Sequence, residues 1–154
     1  MDDLRIIPDD ASGEAIGALI DFHLAESRRH SPPQNVHVIP RERMADPAVS
    51  LFTAWFGDAL AGCGALRELT PSHGELKSMR VVDACQRRGV GEAILLHLIA
   101  EARARGYTRL SLETGRSEPF QAAQRLYARH GFENCAPFGE YPNDDFSMCM
   151  SRTL

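Results

Sequence analysis

The alternation of apolar and polar residues predicts a strand followed by a helix at the start of the chain. The run "DLRIIP" is short, apolar and closed by a proline, which is typical of an edge strand. From Ser12 onward apolar residues recur every three or four positions, which predicts a helix with Ser12 as its N-cap. One face of this helix carries Ile16, Leu19, Ile20, His23 and Leu24.

The middle of the chain is predicted to be irregular at first and then rich in strands. "HSPPQNVHVIP" contains Pro32, Pro33 and Pro40 and cannot form a regular helix, whereas "RERMADPAV" predicts a second, short helix. "SLFTAWFGDALAGCGALREL" predicts two strands joined by a tight turn at Gly57-Asp58. "TPSHG" is predicted to be a loop, and "ELKSMRVV" the strand that follows it.

The last part of the pattern alternates helices with strands. "QRRGVGEAILLHLIAEARARG" predicts a third helix, and "TRLSLET" a strand. "GRSEPFQAAQRLYARHGF" predicts a fourth helix, with Pro119 in its first turn and Gly131 at its C-terminal end. "FENCAPFGEY" and "DDFSMCMSRTL" predict two final strands. The order β-α-α-β-β-β-α-β-α-β-β predicts an α/β fold with a mixed sheet, helices on its faces and one domain over residues 1–154.

Composition and charge narrow the classes of partner. The 154 residues carry a formal net charge of −4, so a broad nucleic-acid surface is not expected. No apolar run approaches the roughly 20 residues that span a bilayer, and the acidic start "MDDLRIIPDD" differs from a signal peptide. We therefore expect a cytoplasmic protein without a membrane partner. The four cysteines show no C-x-x-C spacing and the histidines no H-x-x-x-H pair, so no metal site is predicted.

A basic, glycine-bearing turn precedes the third predicted helix. Gly89 and Gly91 would let the backbone approach a ligand closely, and Arg87 and Arg88 add positive charge. The N–H groups of residues 88–92 lie where a helix N-terminus attracts anions. The turn lacks the P-loop pattern, and Ile94 replaces the third glycine of a dinucleotide fingerprint. Taken alone, it fits an anion site and a simple strand-to-helix connection about equally.

A family resemblance decides between those alternatives. The runs "LKSMRVVDACQRRGVG", "LSLET" and "AAQRLYARHGF" together resemble the GCN5-related N-acetyltransferase (GNAT) superfamily over essentially the whole chain. The runs "SPPQNVH", "AGCGALREL" and "APFGEY" resemble a branch of small bacterial acetyltransferases within it. The resemblance implies the GNAT fold with a splayed central sheet, acetyl-CoA as the cofactor and CoA as a product.

The same resemblance places the cofactor. The strand at residues 75–82 is expected to be bulged, with its backbone at Met79 and Val81 pairing with the pantetheine arm. Many relatives carry an asparagine where this chain has Phe120, so a neighbour such as Ser117 is expected to replace that contact. Glu92 in the first helical turn is expected to face solvent rather than the phosphates. The residues implied in cofactor binding are Met79, Arg80, Val81, Gln86, Arg87, Arg88, Gly89, Val90, Gly91, Glu92, Ser117, Phe120 and Tyr127.

Two residues are candidates for proton transfer. The resemblance places Tyr127 beside the CoA sulfur, where its phenol could protonate the leaving thiolate; the alternative is a core tyrosine. Glu75 is the candidate base. Period-two alternation puts it on one face with Lys77, Met79 and Val81, and it lies four residues before Met79, where the resemblance to the histone-modifying branch of the superfamily implies a catalytic glutamate. The alternative for Glu75 is a solvent-facing glutamate at the start of a strand. By the same alternation Arg80, a candidate anchor for a substrate carboxylate, points away from Glu75 unless a bulge intervenes.

The identity of the acetyl acceptor is the property that the sequence constrains least. Candidate acceptor-site residues are His23, His37, Glu113, Thr114 and Tyr141. The sequence favours an N-acetyltransferase that transfers the acetyl group directly to a small-molecule amine in a ternary complex. A protein or peptide acetyltransferase and a non-enzymatic acyl-CoA-binding module are the alternatives. A homodimer is expected from the resemblance alone.

Overall fold

The computed structural model describes residues 3–139 and 141–154 and contains one seven-stranded sheet with helices on both faces. The strand order is β1-β2-β3-β4-β5-β7-β6. The strands are β1 (Leu4–Asp9), β2 (Val49–Phe56), β3 (Ala59–Thr70), β4 (His73–Val81), β5 (Arg109–Gly115), β6 (Glu133–Cys135) and β7 (Ser147–Thr153). The α-helices are α1 (Glu14–His30), α2 (Val90–Ala104) and α3 (Gln121–Arg129).

The sheet opens between β4 and β5, its only parallel pair within the described residues. The two strands pair over three positions, from His73 opposite Arg109 to Glu75 opposite Ser111. Beyond Glu75 the two strands diverge, while β5 continues in antiparallel register with β7 as far as Gly115. The splayed sheet implied by the family resemblance is thus present.

A bulge in β4 changes which side chains face each side of the sheet. Lys77 lies opposite Ala65, but Arg80 lies opposite Cys63, so β4 holds one residue more than β3 between these pairs. Ser78 stands at the bulge with a φ of 56°, a left-handed conformation that is uncommon for a residue with a side chain. The family resemblance implied such a bulge.

Two apolar layers enclose the sheet. Ile16, Leu19 and Ile20 of α1 pack with Cys63 and Ala65 on one face. The opposite face is covered by α2, whose Ile94, Leu95, Leu98 and Ile99 are at most 3% exposed. No helix within the two described ranges is long and apolar enough to cross a membrane.

The predicted second helix is wrong. "RERMADPAV" forms only a single 3-10 turn at Arg41–Arg43. Pro47 restricts Asp46 to extended conformations, and the Asp46 carboxylate accepts the backbone N–H of Ala48, which closes a turn instead. Met44 is buried beside α1 and anchors the segment.

The predicted N-cap of α1 is also wrong. The helix begins at Glu14 after Gly13, without a side-chain cap. The Ser12 hydroxyl instead donates to Asp10 Oδ1 at 2.6 Å. An acidic side chain two residues away thus competes successfully for the hydroxyl that was expected to cap the helix.

Three other boundaries differ from their predictions. The "TPSHG" loop shrinks to a two-residue turn, because β3 runs to Thr70 and β4 starts at His73. The fourth predicted helix is a 3-10 turn at Glu118–Phe120 followed by α3, and Gly131 ends it with a φ of 85° as predicted. The "FENCAPFGEY" strand is confined to Glu133–Cys135.

Candidate active site

The divergence of β4 and β5 creates a groove of about 480 Å³, here called the β4–β5 groove. Its walls come from both diverging strands, the C-terminal half of α1, the proline-rich segment after it and the start of α3. Candidate residues predicted from the sequence that line it are His23, His37, Met79, Arg80, Gln86, Glu113, Thr114, Phe120, Tyr127 and Tyr141. The splayed sheet therefore brings together residues from distant parts of the chain.

The bulge overturns the predicted alternation along β4. Met79 and Val81 pack on the α2 side of the sheet, with the Met79 sulfur against Gly64 and Val81 against Gly91. Arg80 emerges on the α1 side, where its guanidinium lies 4.8 Å from the centre of the Phe22 ring. Glu75 therefore does not share a face with Met79 and Val81, because the extra residue at Ser78 shifts the period-two pattern by one.

One end of the groove lies beside the turn that precedes α2. Gly89 is the N-cap of the helix with a φ of 78°, and Arg87 also has a positive φ, of 64°. The first helical bond runs from Ala93 N to Gly89 O, so the preceding N–H groups have no helical acceptor. A left-handed turn with outward N–H groups at a helix N-terminus is an anion-binding arrangement. The Arg88 guanidinium lies 4.1 Å from the centre of the Phe56 ring.

The Glu92 side chain points away from the turn that precedes α2. Its half-exposed carboxylate accepts a bond from Arg129 at 3.2 Å and lies 3.4 Å from His130 Nε2, at the far end of α3. Hydrogen bonding to His130 and then to Arg129 lowers the pKa of Glu92. It faces outward as expected and joins α2 to α3 rather than opposing an anion in the turn.

The centre of the groove is narrow and largely apolar. Tyr127, in the last turn of α3, is 7% exposed, and burial raises its pKa to about 12. Phe120 lies across the end of β5, so close to Gly115 that a Cβ there would sit 2.3 Å from its ring. Gly115 is therefore required for this wall, whereas Ser117 is exposed and lies outside the groove lining. The expected replacement of a polar contact by Ser117 finds no support in this geometry.

The side of the groove near α1 is polar and is lined by His23, Asn35, His37, Ser78 and Arg80. Each of these residues has a buried side-chain atom without a hydrogen-bond partner in the described part of the chain. Asn35 nevertheless uses its Nδ2 to donate to Asp144 and Ser147, which fixes the proline-rich segment near β7. Burial and then the charge of Arg80 lower the pKa of His23 to about 4, so His23 is neutral at pH 7.

Glu75 lies in a buried network beneath this side of the groove. It is 1% exposed, accepts a hydrogen bond from the Tyr141 hydroxyl and lies 3.8 Å from Lys77 Nζ. Lys77 donates to the Tyr141 hydroxyl at 2.8 Å and to His37 O at 2.9 Å. The alternative of a solvent-facing Glu75 is therefore excluded.

The same network separates the groove from a second cavity. Glu75 and Arg67 line this cavity of about 400 Å³, and Lys77, His37 and Tyr141 line both spaces. Burial lowers the pKa of Lys77, while burial and then the charge of Glu75 raise the pKa of Tyr141. Lys77, His37 and Tyr141 thus form a polar partition between the two spaces, and Glu75 is the acidic group in contact with it.

Glu113 is the acidic side chain that faces the β4–β5 groove itself. It lies on β5 opposite Cys149, and no hydrogen bond reaches its carboxylate from the residues described. Burial raises its pKa to about 7, against the opposing charge of Lys77. Such a group can change protonation near neutral pH, which a proton acceptor in catalysis requires. Thr114, the next residue, is buried in the wall of the groove.

Sequence reasoning missed three groove residues. Nothing in the sequence indicated a role for Lys77 beyond its position on β4. Ser78 lines the groove at the bulge, which the sequence did not place at this residue. Asn35 stood in a proline-rich run that the pattern treated as irregular, yet it is 4% exposed. Their contacts join segments far apart in the sequence, such as Lys77 and Tyr141, which are 64 residues apart.

Comparison with known proteins agrees with this architecture. Residues 16–132 match the acetyltransferase (GNAT) family. The chain is 44% identical over 151 residues to the uncharacterized N-acetyltransferase YsnE of Bacillus subtilis (strain 168), covering 98% of this chain and 100% of that protein. It is 42% identical over 146 residues to the uncharacterized N-acetyltransferase YedL of Escherichia coli (strain K12), covering 95% and 92%.

Solved structures share the fold at lower sequence identity. A GNAT family acetyltransferase from Elizabethkingia anophelis with acetyl-CoA bound aligns with a TM-score of 0.66 at 20% identity, over 100% of both chains. A Bacillus subtilis acetyltransferase in complex with CoA aligns with a TM-score of 0.71 at 23% identity, over 99% of both chains. From the family match and the two full-length relatives, this chain is an enzyme of the acetyltransferase (GNAT) family.

Proposed function

We propose that the protein transfers the acetyl group of acetyl-CoA to the amine of a small molecule by direct attack in a ternary complex. The observation that carries this proposal is the β4–β5 groove, which begins beside the turn before α2 and extends to the polar side chains near α1. The turn would supply N–H groups and arginines for the pyrophosphate. The whole groove, of about 480 Å³, lies in the range of small-ligand sites, which supports a small acceptor.

The divergence of the strands supports binding of the pantetheine arm along β4. Past Glu75 the edge of β4 that faces β5 has no ladder partner among the residues that the structure describes, so its N–H and C=O groups are available to amides of a ligand. The bulge turns backbone at Ser78 and Met79 out of the β3 ladder. An N–H group there would stabilise the tetrahedral oxyanion, an effect of about 3–4 kcal/mol per donor in known cases.

Tyr127 and Glu113 divide the proton transfers in this proposal. Tyr127 stays protonated throughout the working pH range, so its hydroxyl is always able to donate to the leaving thiolate. Glu113 faces the groove and accepts a proton near neutral pH. Glu75, the base expected from the sequence, is also a candidate, but its contact with Tyr141 and its place on the second cavity favour a positioning role.

The cysteines support direct transfer rather than an acyl-enzyme. None of the four lies in the lining of the groove, and the Cys63 thiol donates to Ser78 O at 3.2 Å behind the bulge. Burial raises the pKa of Cys63 to about 12, which removes the thiolate that a nucleophile requires. Cys85 is buried outside the groove as well, so Cys85→Ala is expected to retain transfer.

A matched pair of variants tests the cofactor site. Gly89 has a positive φ and open space where a side chain would project, and asparagine and aspartate tolerate this conformation better than other residues. Gly89→Asp and Gly89→Asn are nearly isosteric, so they differ mainly in charge. Calorimetric titration should give binding of acetyl-CoA to wild type, reduced affinity in Gly89→Asn and at least tenfold weaker binding in Gly89→Asp. Equal affinities for the two variants would refute phosphate binding at this turn.

A panel of acceptors tests the second half of the proposal. Release of CoA from acetyl-CoA is measured with small amines and, separately, with peptides that carry free N-termini or lysines. Turnover of small amines supports the proposal. Turnover of peptides alone would establish the protein-modifying alternative, and tight acetyl-CoA binding without any turnover would indicate a binding module.

A further inference from the structure

The α1 side of the groove concentrates polar atoms that have no partner within the described part of the protein. The atoms are His23 Nδ1, Asn35 Oδ1, His37 Nε2, Ser78 Oγ and Arg80 Nε. A buried polar atom without a partner is unfavourable, and a ligand that bonds to it can offset this cost. Asn35 is 4% exposed and His23 is partly buried, and all five residues line the β4–β5 groove.

Arg80 supplies the charge of this space. Its guanidinium rests on Phe22 and lies 3.5 Å from the exposed carboxylate of Asp83, and its buried Nε has no hydrogen-bond partner among the described residues. The planar fork of a guanidinium matches a carboxylate, because two parallel N–H groups can meet the two oxygens. Ser78, two residues earlier, lines the same groove and has a hydroxyl of the kind that donates to anions.

The charge balance favours a single negative charge on the ligand. His23 is neutral at pH 7, so it adds no positive charge beside Arg80. Lys77 is directed to Tyr141 and His37 O, and the charges of Glu75, 3.8 Å away, and of Glu113 offset its own. One available guanidinium suits a carboxylate better than a phosphate dianion.

Glu113 lies in the same groove and supplies the opposite charge. By alternation on β5 it projects to the α1 side with Ser111, away from Leu110 and Leu112 in the α2 core. A groove with a guanidinium on β4 and a carboxylate on β5 is complementary to a molecule with a carboxylate and an amine. We infer that the acetyl acceptor is a free amino acid, with its carboxylate bound by Arg80 and its amine directed towards Glu113.

This inference rests on the proposed function, and its test separates the two. Initial rates of CoA release are measured at saturating acetyl-CoA with free amino acids, including β- and γ-amino acids, and with the amide of each. We expect kcat/KM to be at least tenfold higher for the best amino acid than for its amide. Equal or faster turnover of the amides would overturn the inference while leaving acetyl transfer to amines intact. Failure to bind acetyl-CoA, or to acetylate any amine, would instead refute the proposed function.

Variants of Arg80 assign the selectivity to this side chain. Arg80→Met keeps the length and apolar contact with Phe22, and should raise the KM for the amino acid tenfold or more and abolish the preference over the amide. Arg80→Lys keeps the charge without the fork and should recover part of the preference. Arg5→Met, an exposed arginine on β1 that donates to Gly57 O, is the matched control and should keep the wild-type selectivity. Calorimetry with acetyl-CoA confirms that each variant is folded; a loss of acetyl-CoA affinity in Arg80→Met with unchanged selectivity would assign Arg80 to the cofactor and overturn the inference.

Discussion

Replacement of Glu113 by glutamine should stabilise the protein at high pH, although it removes a group from the candidate active site. Burial raises the pKa of Glu113 from 4.5 to about 7. The folded chain thus binds more protons at this residue than the unfolded chain between those two values. The contribution of Glu113 to stability is fully present below about pH 4.5 and is lost as the pH rises through about 7. Glutamine mimics the protonated form at every pH.

The magnitude follows from the difference between the two pKa values. A shift of one unit corresponds to about 1.4 kcal/mol, so the full cost of the ionised carboxylate is about 3 kcal/mol at pH 8. Partial exposure of Glu113 reduces this to about 1–3 kcal/mol. A domain of this size changes its Tm by roughly 2–4 °C per kcal/mol, which predicts a gain of about 2–12 °C at pH 8. At pH 5 the same relation leaves less than about 1 kcal/mol.

Thermal unfolding followed by circular dichroism at pH 5 and pH 8, without ligands, provides the measurement. Glu133→Gln is the control, because this glutamate lies exposed on β6 and should change Tm little at either pH. A Tm difference between wild type and Glu113→Gln that is equal at the two pH values would refute the reasoning. So would a lower Tm of the variant at pH 8, because Glu113 would then be stabilised as a carboxylate in the folded protein.

The remaining predictions concern catalysis and the buried network. Wild-type kcat/KM should rise with pH through an apparent pKa near 7, and Glu113→Gln should lose this step and about 10²–10⁴ in rate; an unchanged profile would exclude Glu113 as the base. Tyr127→Phe should lower kcat at least tenfold with acetyl-CoA affinity retained in calorimetry, and full activity would leave Tyr127 a core residue. Glu75→Gln should lower the free energy of unfolding in urea by about 3–5 kcal/mol, because it removes the carboxylate that lies 3.8 Å from the buried Lys77. The double variant Glu75→Gln/Lys77→Met should recover part of that loss, and additive effects of the two changes would contradict the pairing.

Local signals in the sequence were sufficient for much of the fold. Apolar spacing predicted α1 and α2, and glycines with positive φ ended elements as expected at Gly57 and Gly131. Those features depend on neighbours within a few residues. The failed second helix had a local cause too, since Pro47 stands inside the segment that was predicted to be helical.

The candidate site was less accessible to sequence reasoning because it depends on distant pairings. The bulge at Ser78 arises from the register of β3 against β4, and the residue type at position 78 does not predict it. A prediction that lacked the bulge placed Glu75 on one face with Met79 by strict alternation. The burial of Glu75 likewise depends on Tyr141, which is 66 residues away. Motif resemblance singled out the turn before α2 as a candidate anion site, but only the folded chain distinguishes Glu113 in the groove from Glu75 beneath it.

The three residue pairs that join β4 to β5 divide the sheet into two parts. One part comprises β1 to β4 with α1 docked on it, and the other comprises β5, β7 and β6. Arg80 belongs to the first part and Glu113 to the second, so their separation is set by how far β4 and β5 diverge. Under the proposed function, an acetyl-CoA arm between the two strands would form a wall of the space that the acceptor enters. We therefore predict an ordered mechanism in which the donor binds first and the acceptor second.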